Sequence, residues 1–140
     1  MTDHPTNGLD ETVHQRHRLG ILTIAAEAQR ADFRYLRDTL ELTAGNLSRH
    51  LTVLEDAGMV RVEKGYEGRR PRTWVRITRQ GRSALAAELD VLASLVRLHV
   101  AVVKAAEGAN SGDAARSGDA DQVNAAEPDT DANAMASEPD

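Results

Sequence analysis

Two helical segments separated by only two residues set the tightest limit on how this 140-residue chain can fold. Asp32 can cap a short helix that carries Phe33, Leu36 and Leu40 on one face, with Arg34, Arg37 and Asp38 turned outward. Thr43 can cap a longer one over 43–57, where Leu47, Leu51 and Leu54 form a stripe and Gly58 supplies a left-handed stop. Glu41 and Leu42 alone join the two, a connection short enough to hold them at a steep angle with Leu42 plugging the corner. Such a corner leaves the face of the second helix opposite the Leu stripe to solvent or a ligand.

The flanking segments extend this pattern. Residues 11–28 place Val13, Leu19, Ile21, Leu22, Ile24, Ala25 and Ala28 on a broad apolar face, which predicts one buried helix. After Gly58 the period changes to two: Val60 and Val62 alternate with Arg61 and Glu63, and Thr73, Val75 and Ile77 alternate with Trp74 and Arg76. The Gly- and Pro-containing stretch 65–72 between these strands reads as the elongated tip of a β-hairpin. Thr78 can cap a last, long helix with Leu85, Leu89, Leu92, Val96, His99 and Val103 spaced as a helix–helix seam. Val91, Leu95, Leu98, Val100 and Val102 widen that face beyond what one small domain can cover, which favours a dimer contact through Leu85, Leu89, Leu92, Val96, Val100 and Val103. Simple packing of this helix on its own core is the alternative.

Charge divides the chain near Lys104. Residues 1–104 hold 16 Lys/Arg against 13 Asp/Glu, whereas 105–140 hold Arg116 against nine acids, so the net charge of −5 describes the tail rather than the folding part. The tail has few large apolar residues and repeats Ser-Gly-Asp-Ala, too little burial to offset chain entropy. A solubilising role is the simplest reading of it; competition for basic groups elsewhere on the chain and recruitment of a basic partner are the others. With no cysteine, disulfides, thiolate metal sites and redox-sensing thiols are excluded. The N-terminus lacks a basic start followed by an apolar run, and no stretch reaches membrane-spanning length, so a cytoplasmic location is the default expectation.

Two features point to nucleic acid. On the third helix, at about 100° per residue, Gly45, Arg49 and Thr52 lie opposite the Leu stripe with Asn46 and Ser48 on its flanks. Arg can bond two acceptors of guanine and Asn two positions of adenine, so Arg49 and Asn46 are the expected readers of sequence. Ala44 and Gly45 allow the helix N-terminus to approach phosphates closely. The second feature is a basic hairpin: residues 61–82 contain Arg61, Lys64, Arg69, Arg70, Arg72, Arg76, Arg79 and Arg82 against Glu63 and Glu67. Either feature alone is commonly just a solvated surface; their succession is what makes an interface.

The segments Arg18-Leu19-Gly20-Ile21-Leu22, Leu42-Thr43-Ala44-Gly45-Asn46-Leu47-Ser48-Arg49-His50-Leu51 and Gly68-Arg69-Arg70-Pro71-Arg72-Thr73 resemble the small winged-helix regulators related to the MarR and ArsR repressors. The resemblance runs from about 14 to 98. It implies a mainly α fold with a small β-hairpin, in which residues 11–104 form a winged helix-turn-helix domain with long terminal helices for dimerisation. Residues 1–10 would be a flexible lead-in and 105–140 a disordered acidic tail. It further implies a homodimer that regulates transcription, most simply as a repressor, with each third helix in a major groove of double-stranded operator DNA and half-sites about one or two helical turns apart. Thr43, Asn46, Ser48, Arg49 and Thr52 fall at recognition-helix positions, and Lys64, Arg69, Arg70 and Arg72 on the wing. Ala44 departs from the larger polar residue common in the family at that contact.

Other readings are weaker. His14 and His17, three apart, could share a metal with Asp10 or Glu11, but lone histidines more often serve surfaces or interfaces, and no metal or cofactor is expected. His50 either bonds a phosphate or closes the core, and His99 in the seam is better read as exposed or paired than as a pH sensor. No nucleophile–base pair, phosphate loop or carboxylate pair stands in a catalytic setting, so an enzyme is not expected. The rival is a winged-helix protein-interaction module without DNA binding, against which the Arg-rich wing argues. Four aromatic residues do not outline an effector pocket, so any effector stays unspecified, as do the operator and the direction of regulation.

Overall fold

Caps and breaks set the order of elements. In the computed structural model, which describes residues 3–111, a 3-10 turn at Pro5–Gly8 is followed by α1 (Glu11–His14), α2 (Arg16–Glu27), β1 (Ala31–Asp32), α3 (Phe33–Thr39), α4 (Ala44–Asp56), β2 (Val60–Glu67), β3 (Arg70–Ile77) and α5 (Arg79–Ser111). The chain divides into two compact units, Met1–Val103 and Lys104–Asp140. The acidic tail expected over 105–140 lies outside the described residues from 112 onward, as do Met1 and Thr2.

The single helix expected over 11–28 is two helices. Gln15 takes an extended conformation, ending α1, and its side-chain oxygen then accepts from Arg18 N–H at 2.9 Å as the cap of α2. A carbonyl freed at the break is taken up by Arg18, whose Nε donates to Thr12 O at 2.6 Å. Residues 3–10 hold their 3-10 turn just ahead of Asp10, which caps α1.

The corner forms as its residues dictate. Asp32 caps α3 through Tyr35 N–H, Thr43 caps α4 through Asn46 N–H at 3.1 Å, and half-buried Leu42 packs against the core between them. Glu41 makes the turn with φ of 57°. At the far end of α4, Gly58 at φ 76° lets Met59 N–H reach back to Leu54 O at 2.9 Å, closing the helix in a Schellman motif.

The sheet has three antiparallel strands in the order β1-β3-β2. β1, two residues long and not expected from the sequence, pairs Ala31 with Val75 and Asp32 with Trp74. The expected long tip is also corrected: Lys64 pairs with Thr73, Gly65 with Arg72, Tyr66 with Pro71 and Glu67 with Arg70. Only Gly68 and Arg69 turn, and Gly68 supplies the positive φ of 67° that a two-residue hairpin needs at its first position. Pro71 is tolerated because β3 at that height has β2 on one side only.

Val13, Ile21, Leu22, Leu36, Leu47, Leu54 and Val75 are fully enclosed, so α1, α2, α3, α4 and β3 each contribute a core residue with no exposure; β1 adds Ala31, β2 adds Val60 and α5 adds Leu85. Leu85 was expected in the dimer seam. It belongs instead to the intramolecular core, because the first turns of α5 lie directly on the start of β2, with Gly81 against the Met59 carbonyl. Among the described residues no helix is long and apolar enough to cross a membrane.

Candidate nucleic-acid interface

The Leu stripe of α4 faces inward, so the side chains between its members must face outward. Thr43, Asn46, Ser48, Arg49 and Thr52 are all exposed. Two of them are partly committed: the Thr43 hydroxyl caps the helix, and Thr52 Oγ1 donates to Ser48 O at 3.0 Å. The Arg49 guanidinium and the Asn46 amide have no hydrogen-bond partner among the described residues. Ser48 and Thr52 line a groove of about 300 Å³ together with Glu55 of the same helix and Val62, Lys64 and Thr73 of the hairpin. The edge of α4 and the inner face of the hairpin thus form one continuous surface.

Cross-strand pairing sorts the hairpin into two faces, since opposed residues project to the same side. Val60, Val62, Lys64 and Tyr66 share the face toward the core and α4 with Ile77, Val75, Thr73 and Pro71. The other face carries a polar ladder: Arg76 Nε lies 2.8 Å from Glu63 Oε1, and Arg72 bridges Glu67 Oε1 at 2.9 Å and Asp32 Oδ2 at 3.3 Å. Arg30 stacks 3.9 Å over Trp74 beside it.

Of the expected wing residues, Lys64, Arg69 and Arg70 are exposed and without ion-pair partners among the described residues, whereas Arg72 is three-quarters buried and held by two carboxylates. Its Nε is enclosed without a hydrogen-bond partner, so the guanidinium is fixed at the junction of hairpin and α3 rather than projected from the tip. Sequence spacing alone could not separate Arg72 from Arg69 and Arg70, because its partner Asp32 lies 40 residues away.

On the opposite flank of α4 the sequence reading missed a basic cluster. His50 Nδ1 lies 3.2 Å from an Arg18 guanidinium nitrogen, the His17 and His50 rings are 5.4 Å apart, and an Arg16 guanidinium nitrogen is 3.1 Å from His17 Nε2. Burial, then the charges of Arg18, His17 and Arg49, pull the His50 pKa below its ordinary value; burial, then Arg16, does the same to His17. The position of His50 one turn beyond Asn46 on α4 was the available signal, but His17 and Arg18 reach His50 only through the tertiary fold. His14 and His17 do not come together: His14 Nδ1 lies 2.7 Å from Glu88 Oε2, while His17 faces His50. Among the described residues no group of three or more His, Asp or Glu could hold a metal ion.

Residues 17–96 match the family described as the winged helix DNA-binding domain. An uncharacterised protein of Methanocaldococcus jannaschii is 39% identical over 67 residues, 48% of this chain and 73% of that protein. Among solved structures, a transcriptional regulator homologue from Pyrococcus horikoshii is 33% identical with a TM-score of 0.59, the match covering 63% of this chain and 87% of that one. A regulator of the MarR family from Enterococcus faecalis superposes with a TM-score of 0.54 over 76% of this chain and 94% of its own, at 22% identity, a likeness of fold alone.

Proposed function

The chain belongs to the winged helix DNA-binding domain family, and from that membership we propose that it is a sequence-specific transcriptional regulator that binds double-stranded operator DNA as a homodimer. In this reading α4 enters a major groove, where Arg49 and Asn46 address base edges, and the Gly68-Arg69 turn with Arg70 and Lys64 contacts the adjacent backbone or minor groove. The observation that carries the reading is that these groups have no internal partners among the described residues. Arg49, Asn46, Lys64, Arg69 and Arg70 are exposed on α4 and the hairpin, whereas Arg72 and Arg76 nearby are each neutralised by carboxylates. Repression follows in the simplest case, by occlusion of a promoter.

Dimerisation is supported by α5. Beyond its contact with the core it exposes Leu89, Val96, Leu98, Val100, Val102 and Val103, with Val96 61% and Val102 58% accessible. Residues 11–104 would then supply both DNA contact and dimer contact. Leu89, Val96, Val100 and Val103 fall on one face of α5 by helical spacing, an apolar stripe costly to leave in water that a second α5 related by a two-fold axis would cover, whereas Leu98 and Val102 lie on the opposite side.

The test is fluorescence anisotropy with DNA from upstream of the gene and with scrambled DNA across a salt series, alongside sedimentation equilibrium. Expected are a preference for the upstream DNA, a steep salt dependence, and a dimer that Val96→Glu converts to monomer. Absence of binding to either DNA at low salt would remove the reading, and a wild-type monomer would remove the dimer from it.

A further inference from the structure

We propose that Arg16, His17, Arg49 and His50 form a second binding site for a DNA backbone phosphodiester, on the flank of α4 opposite the hairpin; the inference rests on the placement of α4 in a major groove. Three observations carry it. The first is position. Around α4, Ser48, Thr52 and Glu55 lie on the hairpin side, His50 lies on the α2 side, and Arg49 projects between them. A helix lying in a major groove about 12 Å wide has a phosphate backbone along each flank, and the hairpin can serve only one of them.

The second observation is charge without compensation. The cluster brings together Arg16, Arg18 and Arg49 around two imidazoles, and none of these arginines has a carboxylate partner among the described residues. Arg18 bonds the carbonyls of Thr12 and Glu11 and approaches His50; Arg16 approaches only His17. The acid that faces the cluster is Glu41 of the turn between α3 and α4, which lines a hollow of about 370 Å³ with Arg16, His17, Thr39 and Leu40 and forms no ion pair. Arg18, spent on backbone carbonyls and His50, acts as a positioning residue that holds the His50 ring rather than as a ligand.

The third observation is access. Arg16 and Arg49 are exposed and His17 and His50 are half-buried, so all four present accessible surface, although His17 Nδ1 lies 3.4 Å from Gln15 Nε2 and His50 Nδ1 3.2 Å from Arg18. In the free protein both rings are held neutral near pH 7, by burial first and by the neighbouring arginines second. An arriving anion favours the charged imidazolium, so binding takes up protons and affinity rises as pH falls from about 7.5 toward 5.5, by roughly tenfold for each pKa unit regained.

The experiment measures binding of the full chain to a duplex from upstream of the gene, as salt and pH series, for wild type, Arg16→Ala, His17→Gln/His50→Gln and Arg69→Ala/Arg70→Ala. Arg16→Ala should flatten the log–log salt slope by about 0.9, the value for one phosphate, and the double His variant should lose the rise in affinity at low pH. A set of duplexes with single uncharged methylphosphonate linkages should locate the contact: one linkage weakens wild type but not Arg16→Ala. Exposed Arg16 keeps the test informative if the His50 change disturbs packing. If Arg69→Ala/Arg70→Ala flattens the slope while the Arg16 and His variants match wild type, the second site is refuted and the hairpin reading stands. If wild type shows no salt-dependent binding, both fall.

Discussion

Replacing Glu88 by Ala should cost about 2–3 kcal/mol, the largest effect of any polar truncation in the domain. Glu88 is 1% exposed and is the one buried charged residue among those described. Its Oε1 accepts from Asp10 N–H at 2.9 Å and its Oε2 lies 2.7 Å from His14 Nδ1, so one side chain ties both ends of α1 to α5. A hydrogen bond to a charged acceptor contributes roughly 1.5–3 kcal/mol, and a buried donor left unpaired costs about 1–3. These do not add in full here, since His14 is half exposed and water can reach it after truncation. For a domain of this size the loss corresponds to a fall in Tm of roughly 10–20 °C. Urea unfolding at one fixed protein concentration would measure it, since a dimer's stability depends on concentration. Glu88→Gln keeps an acceptor for Asp10 N–H and offers an amide to the His14 ring, so it should lose less than half as much. A loss under about 0.5 kcal/mol for Ala, or equal losses for Ala and Gln, would refute the reasoning.

Further expectations follow from the same geometry. Arg72→Ala should lower stability by about 1–2 kcal/mol through the loss of its bridges to Asp32 and Glu67, whereas Arg69→Ala/Arg70→Ala should leave stability within about 0.5 kcal/mol; thermal denaturation of the two variants distinguishes hinge from contact. Gly81→Ala would press a Cβ into the Met59 carbonyl, backbone that cannot yield, and should cost roughly 1–3 kcal/mol or more, whereas Gly45→Ala meets nothing and should be tolerated by the fold. Because the folded-state pKa values of His17 and His50 are depressed, protons bind the unfolded chain first: their contribution is intact above about pH 6.5 and is lost as pH falls through the folded values. His17→Gln/His50→Gln should therefore show a shallower drop in Tm between pH 7.5 and 5.5 than wild type, and parallel curves would contradict the shifts.

How much of this was legible follows from how far each signal travels along the chain. α4 could be read in full because its cap Thr43, its stripe Leu47, Leu51 and Leu54, and its stop Gly58 are all local. The break at Gln15 could not, because the apolar pattern of 11–28 continues across it and only the backbone and the Arg18 tie reveal the corner. β1 has two residues and exists only because β3 pairs with it. At the hairpin tip, Gly65 and Pro71 are ordinary loop signals, yet their partners Arg72 and Tyr66 hold them in the ladder. Leu85 fits the seam by spacing and the core by position, a choice that needs the docking of α5 to resolve. The candidate interface shows the same split: exposure of Asn46, Ser48, Arg49 and Thr52 follows from helical periodicity, whereas the roles of Arg72, His17 and Glu88 depend on contacts spanning more than thirty residues.

The folding part carries a slight excess of base over acid, and such an excess by itself says little about a partner. The informative quantity is which charges the fold neutralises. On the outer face of the hairpin, Arg72 and Arg76 meet Asp32, Glu67 and Glu63, and Arg30 lies on Trp74, so that face is spent on holding the hairpin to β1 and α3. Arg82 is likewise committed, to the Ala26 carbonyl. On the inner face, the tip and the far flank of α4, Lys64, Arg69, Arg70, Arg49 and Arg16 form no ion pair among the described residues, although Glu67 stands across the ladder from Arg70 and Glu41 lies beside Arg16. One set of arginines therefore stiffens the platform, and the other is left unpaired on the surface that the platform presents. The separation is incomplete, since exposed Arg61 on the outer face also forms no ion pair among the described residues, but a surface that must meet a polyanion in fixed register gains from having both braced and unpaired cations.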